Sequence, residues 1–177
     1  MPSHFLHLQP GTFDDYLTSM RSNYRIDLKG DMKLFDRRRV RIEELDETQK
    51  RSDPITPELY EFYLQLLERV EFHLLTLPRE YFNEFTRRYA DRLQVLRATV
   101  DGRPAGFFLS IPVGDMYQLL IVAVDEDLSR QFGIYRNMYF HEMESALARG
   151  FHTIGLGTTA DEFKLRLGSK PRNGPSM

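Results

Sequence analysis

The 177-residue chain contains no cysteine. That removes disulfides, thiol nucleophiles and thiolate metal sites, and it leaves the compartment open because a reducing cytosol permits the absence without requiring it. No run approaches 18 consecutive apolar residues, so no spanning helix is expected. The opening MPSHFLHLQP lacks the basic-then-apolar layout of a secretory signal. His4, His7, His73, His141 and His152 are scattered, with no His/Asp/Glu spacing that closes a metal site, and no metal is expected. These absences point to a soluble, cytoplasmic protein.

What is present suffices for a core: 41% of residues are hydrophobic and 12% aromatic, enough for one domain over residues 1–177. The tail SKPRNGPSM reads as unstructured, with residues 170–177 disordered. Charge is segregated. Residues 21–41 hold eight Lys and Arg against three Asp, a local +5 that leaves −7 for the remainder of a chain of net −2. Such a patch suits an anionic partner or is an ordinary solvated face.

Thr12 followed by Asp14 and Asp15 predicts an N-cap opening one helix to about Phe35. Phe13, Leu17, Tyr24, Leu28 and Met32 line its buried stripe, and Arg21, Arg25, Lys29 and Lys33 recur every four residues beside it. Gly30 marks a place where this helix could kink. Val40 and Ile42 alternate with charge as a short strand, and Thr56-Pro57 starts a helix that is followed by a second after Leu77-Pro78. The segments LQVLRATV, PAGFFLSI and MYQLLIVAV, separated by strong turn signals, form an antiparallel meander. A helix carrying Tyr135, Met138, Tyr139, Met143, Ala146 and Leu147 then closes at Gly150. A short strand, FHTIGLGT, precedes a last helix with Thr159 and Glu162 as its capping box. The order predicts an α/β chain of the α+β kind, a mixed and mostly antiparallel sheet flanked by helices.

Between meander and helix lies SRQFGIYRN, residues 129–137. If Ser129 caps the helix, the amides of Gln131, Phe132 and Gly133 are free donors, Arg130 adds charge, and Gly133 lets a diphosphate approach the backbone. The alternative is an ordinary helix start with a tolerated glycine. His141 falls with Asn137 and Ser145 on the face opposite Tyr135 and reads as a surface residue, and Asp161 and Glu162 are explained by helix-start electrostatics.

The order of meander, Arg-x-x-Gly loop, amphipathic helix and short strand resembles the acyl-CoA core of the GNAT acyltransferase superfamily. Arg130 and Gly133 match its loop, while Tyr135 stands where the family places Gly or Ala. TFDDYLTSMRSNYRIDL, LPREYFNEF, VDGRPAGFFLSI, ESALARGFHTIGLGTT and FKLRLGSKP together resemble the Fem-type, peptidoglycan-biosynthesis branch, whose core ends in a Lys followed four residues later by a Gly, as Lys164 and Gly168 do here. The resemblance implies an N-acyltransferase that moves an acyl or aminoacyl group from acyl-CoA or aminoacyl-tRNA to an amine. It implies that the strand holding Leu120, Ile121, Val122 and Ala123 presents backbone donors to the carbonyl in a splayed gap. It leaves Tyr135 as either the acid that protonates the departing thiolate or a core aromatic. Lys164 is implied as a phosphate partner, with an exposed helical lysine as the alternative. The basic stripe Arg21, Arg25, Lys29 and Lys33 would face either polyanionic donor. The competing reading is a non-catalytic half that docks substrate or pairs with a second GNAT half or a second copy, in a fold that lacks its last strand.

Overall fold

A computed structural model describes residues 3–70, 75–158 and 161–172. In chain order the elements are β1 (Ser3–His7), α1 (Phe13–Ser19), α2 (Ser22–Leu34), β2 (Val40–Glu44), α3 (Glu47–Arg51), α4 (Pro57–Arg69), α5 (Arg79–Arg88), β3 (Gln94–Val100), β4 (Arg103–Val113), β5 (Met116–Val124), α6 (Glu126–Phe132), α7 (Ile134–Ala148), β6 (Thr153–Gly157), α8 (Asp161–Arg166) and β7 (Lys170–Arg172). One seven-stranded sheet runs β2-β3-β4-β5-β6-β1-β7. Only β5 and β6 pair in parallel, and every other neighbour is antiparallel.

Alternation along the strands divides the core between the two faces. Phe107, Leu109 and Ala123 join Leu59, Tyr63 and Phe82 under α4 and α5. Phe108, Tyr117 and Leu119 point the other way, onto Met138, Tyr139 and Met143 of α7 and onto Phe13, Leu17 and Leu28 of α1 and α2. The meander is therefore clothed on both sides, and α7 ends where expected. Gly150 at φ 81° closes it with a Schellman pair, in which the Phe151 amide donates to Ala146 O and the Gly150 amide to Leu147 O, both at 2.9 Å.

Two expectations are corrected, the single N-terminal helix and the tail without a last strand. The helix foreseen from Thr12 to Phe35 is two helices, broken at Met20 and Arg21, both extended in ψ, and Gly30 stays helical. Thr12 and Asp15 do form the capping box of the first. Arg25 reaches back to Thr18 O at 3.0 Å, so a cation from α2 caps the carbonyl end of α1 and holds the break. The N-terminal residues supply β1, which lies between β6 and β7 and covers the edge of β6. Residues 170–172, foreseen in the tail, form β7, so a last strand is present. Thr159, the foreseen cap of the last helix, lies outside the described residues.

Candidate functional site at the β5/β6 fork

Strands β5 and β6 pair only from Met116 to Gln118, against Thr153 to Gly155. Beyond that point β5 continues to Val124 with no ladder partner on this edge among the described residues, so the sheet forks. A β-bulge marks the parting. Leu109 pairs with Ile121 and Ser110 with Leu119, which leaves Leu120 as the extra residue, and a bulge of this kind bends its strand and re-aims its side chains. Leu120 is accordingly 42% exposed in the middle of an otherwise covered sheet.

At the apex of the fork sits Gln118, whose Nε2 donates to Leu119 O at 2.7 Å and reaches Gly155 O at 3.4 Å. Gly155 leaves room for this amide, because a Cβ at that position would stand 2.2 Å from Gln118 Oε1 and would displace the Gln118 side chain. The amide wedge thus ties the two strands together at the last point where they meet. Gln118 was not foreseen as a functional residue, and its signal was the single amide in the apolar run MYQLLIVAV.

The fork opens a cleft of about 1080 Å³ that passes from the α4 face of the sheet to the α7 face. Of the residues read from the sequence, Leu120, Ile121, Val122, Arg130, Gly133 and Tyr135 line it. Ala123 does not: it is buried under α4 and α5. Gln131 is exposed outside the cleft, and Phe132 is core, with the Arg39 guanidinium 4.8 Å above its ring.

The loop reading of SRQFGIYRN is corrected as well. Residues 126–132 are helical, capped by Asp125, which accepts from the Leu128 amide at 2.9 Å. Ser129 is therefore not an N-cap, and Gln131 and Phe132 lie inside α6, so their amides are not the free donors expected. Gly133, at φ 65°, ends α6 and starts α7 in one left-handed residue. The helix start that meets the cleft is that of α7, where Ser129 Oγ accepts from the Tyr135 amide at 3.0 Å. Gly133 is also needed sterically, since a Cβ there would lie 3.0 Å from both Asp31 O and Asn137 Nδ2. Asp31 in turn bonds the Arg136 guanidinium and docks α2 beside the cleft.

Tyr135 does not plug the opening. Its ring packs against Phe163 and Tyr139 on one wall, and its hydroxyl lies 3.2 Å from that of Tyr139. Burial pushes both phenols above the ordinary value, Tyr139 further. The pair therefore holds its protons at neutral pH and has the form of an acid, not of a base. Lys164 is not the exposed helical lysine considered above. It is fully buried, its Nζ packed behind Gly157, which lines the cleft.

The basic stripe is dispersed. Arg21 stands at the N-cap position of α2 without a capping side-chain bond, Arg25 is committed to the end of α1, Lys29 and Lys33 are exposed, and none of the four lines the cleft. Inside the cleft each arginine has an acidic partner: Arg130 with Asp127, Arg136 with Asp31 and Arg69 with Glu126.

A family profile described as the acetyltransferase (GNAT) domain matches residues 22–165. The chain belongs to the GNAT family. No curated protein is matched. Among solved structures, this GNAT chain superposes on FemX with a TM-score of 0.70 at 12% identity, covering 96% of itself and 59% of that chain. It also superposes on the C-terminal domain assigned to a lysylphosphatidylglycerol synthetase of Agrobacterium fabrum, with a TM-score of 0.64 at 14% identity, covering 98% of itself and 60% of that chain. An aminoglycoside acetyltransferase from an uncultured soil metagenomic sample gives 0.53 at 18% identity, over 73% of this chain and 84% of that one. These likenesses are of fold. The chain spans less than two thirds of the length of the first two. Among its described residues, no helix is long and apolar enough to cross a membrane and no cluster of His, Asp or Glu has the form of a metal site.

Proposed function

We propose that the protein is an N-acyltransferase that binds an acyl-CoA across the β5/β6 fork and transfers the acyl group directly to an amine. The observation that carries this reading is the fork itself: an unpaired edge of β5, bent at Leu120, opening onto the first turn of a 15-residue helix. Backbone donors along that edge would meet the oxygen that gains charge when the amine attacks, a contribution of about 3 kcal/mol in such sites. The amine nitrogen forms the new C–N bond, the C–S bond breaks, the proton lost by nitrogen passes to solvent water, and one is delivered to the departing thiolate. Tyr135, protonated and on the cleft wall, is the donor we assign. The start of α7, with Arg130 at its mouth, would hold the diphosphate of the carrier.

A CoA carrier is favoured over an aminoacyl-tRNA. The tRNA reading drew on the stripe of Arg21, Arg25, Lys29 and Lys33, which lies outside the cleft with one member committed to a helix end. The second reading, a docking half of a longer enzyme, is favoured by one fact: the chain spans only 59% of FemX.

Thiol release separates the two. Because the chain has no cysteine, every thiol counted comes from the carrier. With acetyl-CoA and a panel of primary amines, the proposal expects amine-dependent thiol release and a matching mass increase on the amine. Failure to bind CoA, with no release for any amine, would overturn it in favour of the docking half. Arg130→Ala is the variant for probing the carrier, since Arg130 is exposed and, among the described residues, paired with Asp127 alone, whereas substitution of Gly133 acts on the fold.

A further inference from the structure

The cleft is not uniform in polarity. On the α7 side its wall carries a cluster of polar groups, Asp31, Ser129, Arg130, Tyr135 and Arg136, beside the apolar Leu34 and Leu156. On the α4 side it is apolar, formed by Tyr63, Leu66, Leu67 and Val70 from α4 and its end, with Leu120 and Ile121 from β5. The Tyr63 hydroxyl is already engaged, accepting from the Leu77 amide at 3.1 Å, so that residue presents its ring. The one charged feature on this side is the Arg69–Glu126 pair, in which each charge is neutralised by the other. Leu66, Leu67, Val70 and Ile121 are only half-buried: Leu66, Leu67 and Ile121 rest on the core with one side, and all four leave apolar surface to the cleft. Apolar lining with few polar groups is the character of a site for an apolar ligand.

The geometry of a thioester directs what would lie there. The three bonds of the carbonyl carbon share one plane. With oxygen turned to the open edge of β5 and sulfur leading back to the polar α7 side, the third bond points through the fork to the α4 side. The amine approaches along the normal to that plane and does not compete for the same space. We infer that the α4-side arm is an acyl-chain site, and that the transferred group is an aliphatic acyl chain of medium length in place of acetyl. This rests on the acyl-CoA reading above.

The test is calorimetric titration of the whole chain with free CoA, acetyl-CoA, butyryl-CoA and octanoyl-CoA. Free CoA serves as the reference because it carries no acyl group. The inference expects octanoyl-CoA to bind at least about tenfold more tightly than acetyl-CoA, as each buried methylene adds to affinity. Leu66→Gln should lose that gain, read as the ratio of octanoyl-CoA to free CoA affinity within the variant, while Leu66→Met should keep it. If CoA and acetyl-CoA bind and chain length changes nothing, or if Leu66→Gln keeps the full gain, the acyl-chain site is overturned and the transferase reading stands. If none of the four binds, both fall together.

Discussion

Tyr135 is the residue on which the proposed chemistry turns. Its phenol is held protonated by burial and lies against Tyr139, so Tyr135→Phe removes a proton donor while leaving the ring packing on Phe163. Turnover should fall about 10²-fold with the affinity for CoA retained, as measured by steady-state kinetics beside calorimetry. Unchanged turnover would return Tyr135 to the core-aromatic role that its helical spacing equally allows. Glu142 makes a second prediction. It is 1% exposed, and burial, opposed only in part by the Ser110 hydroxyl and the Arg149 guanidinium, raises its pKa from 4.5 to about 8. The folded state therefore holds a proton that the unfolded state releases. Stability from this group is complete below pH 4.5 and is lost as pH rises to about 8, a change on the order of several kcal/mol. Thermal unfolding of the wild type should decline across that window, and Glu142→Gln should flatten the decline. Parallel curves would contradict the assignment. The burial of Glu142 was legible: it stands four residues from Met138 and three from Tyr139, on the apolar stripe, and only its charge argued for the surface.

At the scale of elements, the join of α6 to α7 depends on one left-handed residue. Gly133→Ala places a Cβ at φ 65° and within 3.0 Å of Asp31 O, a backbone atom that moves only if α2 moves. The expected cost is roughly 1–2 kcal/mol or more in urea unfolding, with α2 becoming more susceptible to proteolysis. A neutral result would mean that α2 is not anchored there. This glycine was read as a phosphate-contacting loop residue because its Arg-x-x-Gly spacing fits one. The spacing held no sign of the short helix preceding it, since Asp125 is as good a cap as Ser129 and lies only four residues earlier. The break between α1 and α2 was hidden for a related reason. The apolar stripe continues in register across Met20 and Arg21, so periodicity reports one helix where the backbone makes two. The meander and the end of α7, by contrast, were carried by local turn chemistry and appear where the sequence put them.

At the scale of the molecule, the position of charge argues against an electrostatic grip on a large polyanion. Lys29 and Lys33 are exposed and do not line the cleft, which α2 borders with Asp31 and Leu34 instead, so the double variant Lys29→Ala, Lys33→Ala should leave CoA affinity within about twofold, the range of an ordinary surface substitution. A larger loss in titration calorimetry would bring the basic stripe back into donor binding. The fork itself was beyond what sequence alone allows. It is set by pairings of residues far apart in the chain, Met116 with Thr153 and His4 with Gly157, and by the one-residue offset at Leu120. For the same reason β1 and β7 went unread: each is a few residues long and becomes a strand only through its partner.

The central claim is that a CoA thioester lies in the fork, and backbone amide exchange during CoA titration tests it most directly. At saturation the account predicts protection confined to residues 119–122 on the open edge of β5 and 133–136 at the start of α7. Protection confined instead to the smaller pocket around Arg21, Tyr24 and Arg166, with residues 119–122 unchanged, would contradict it.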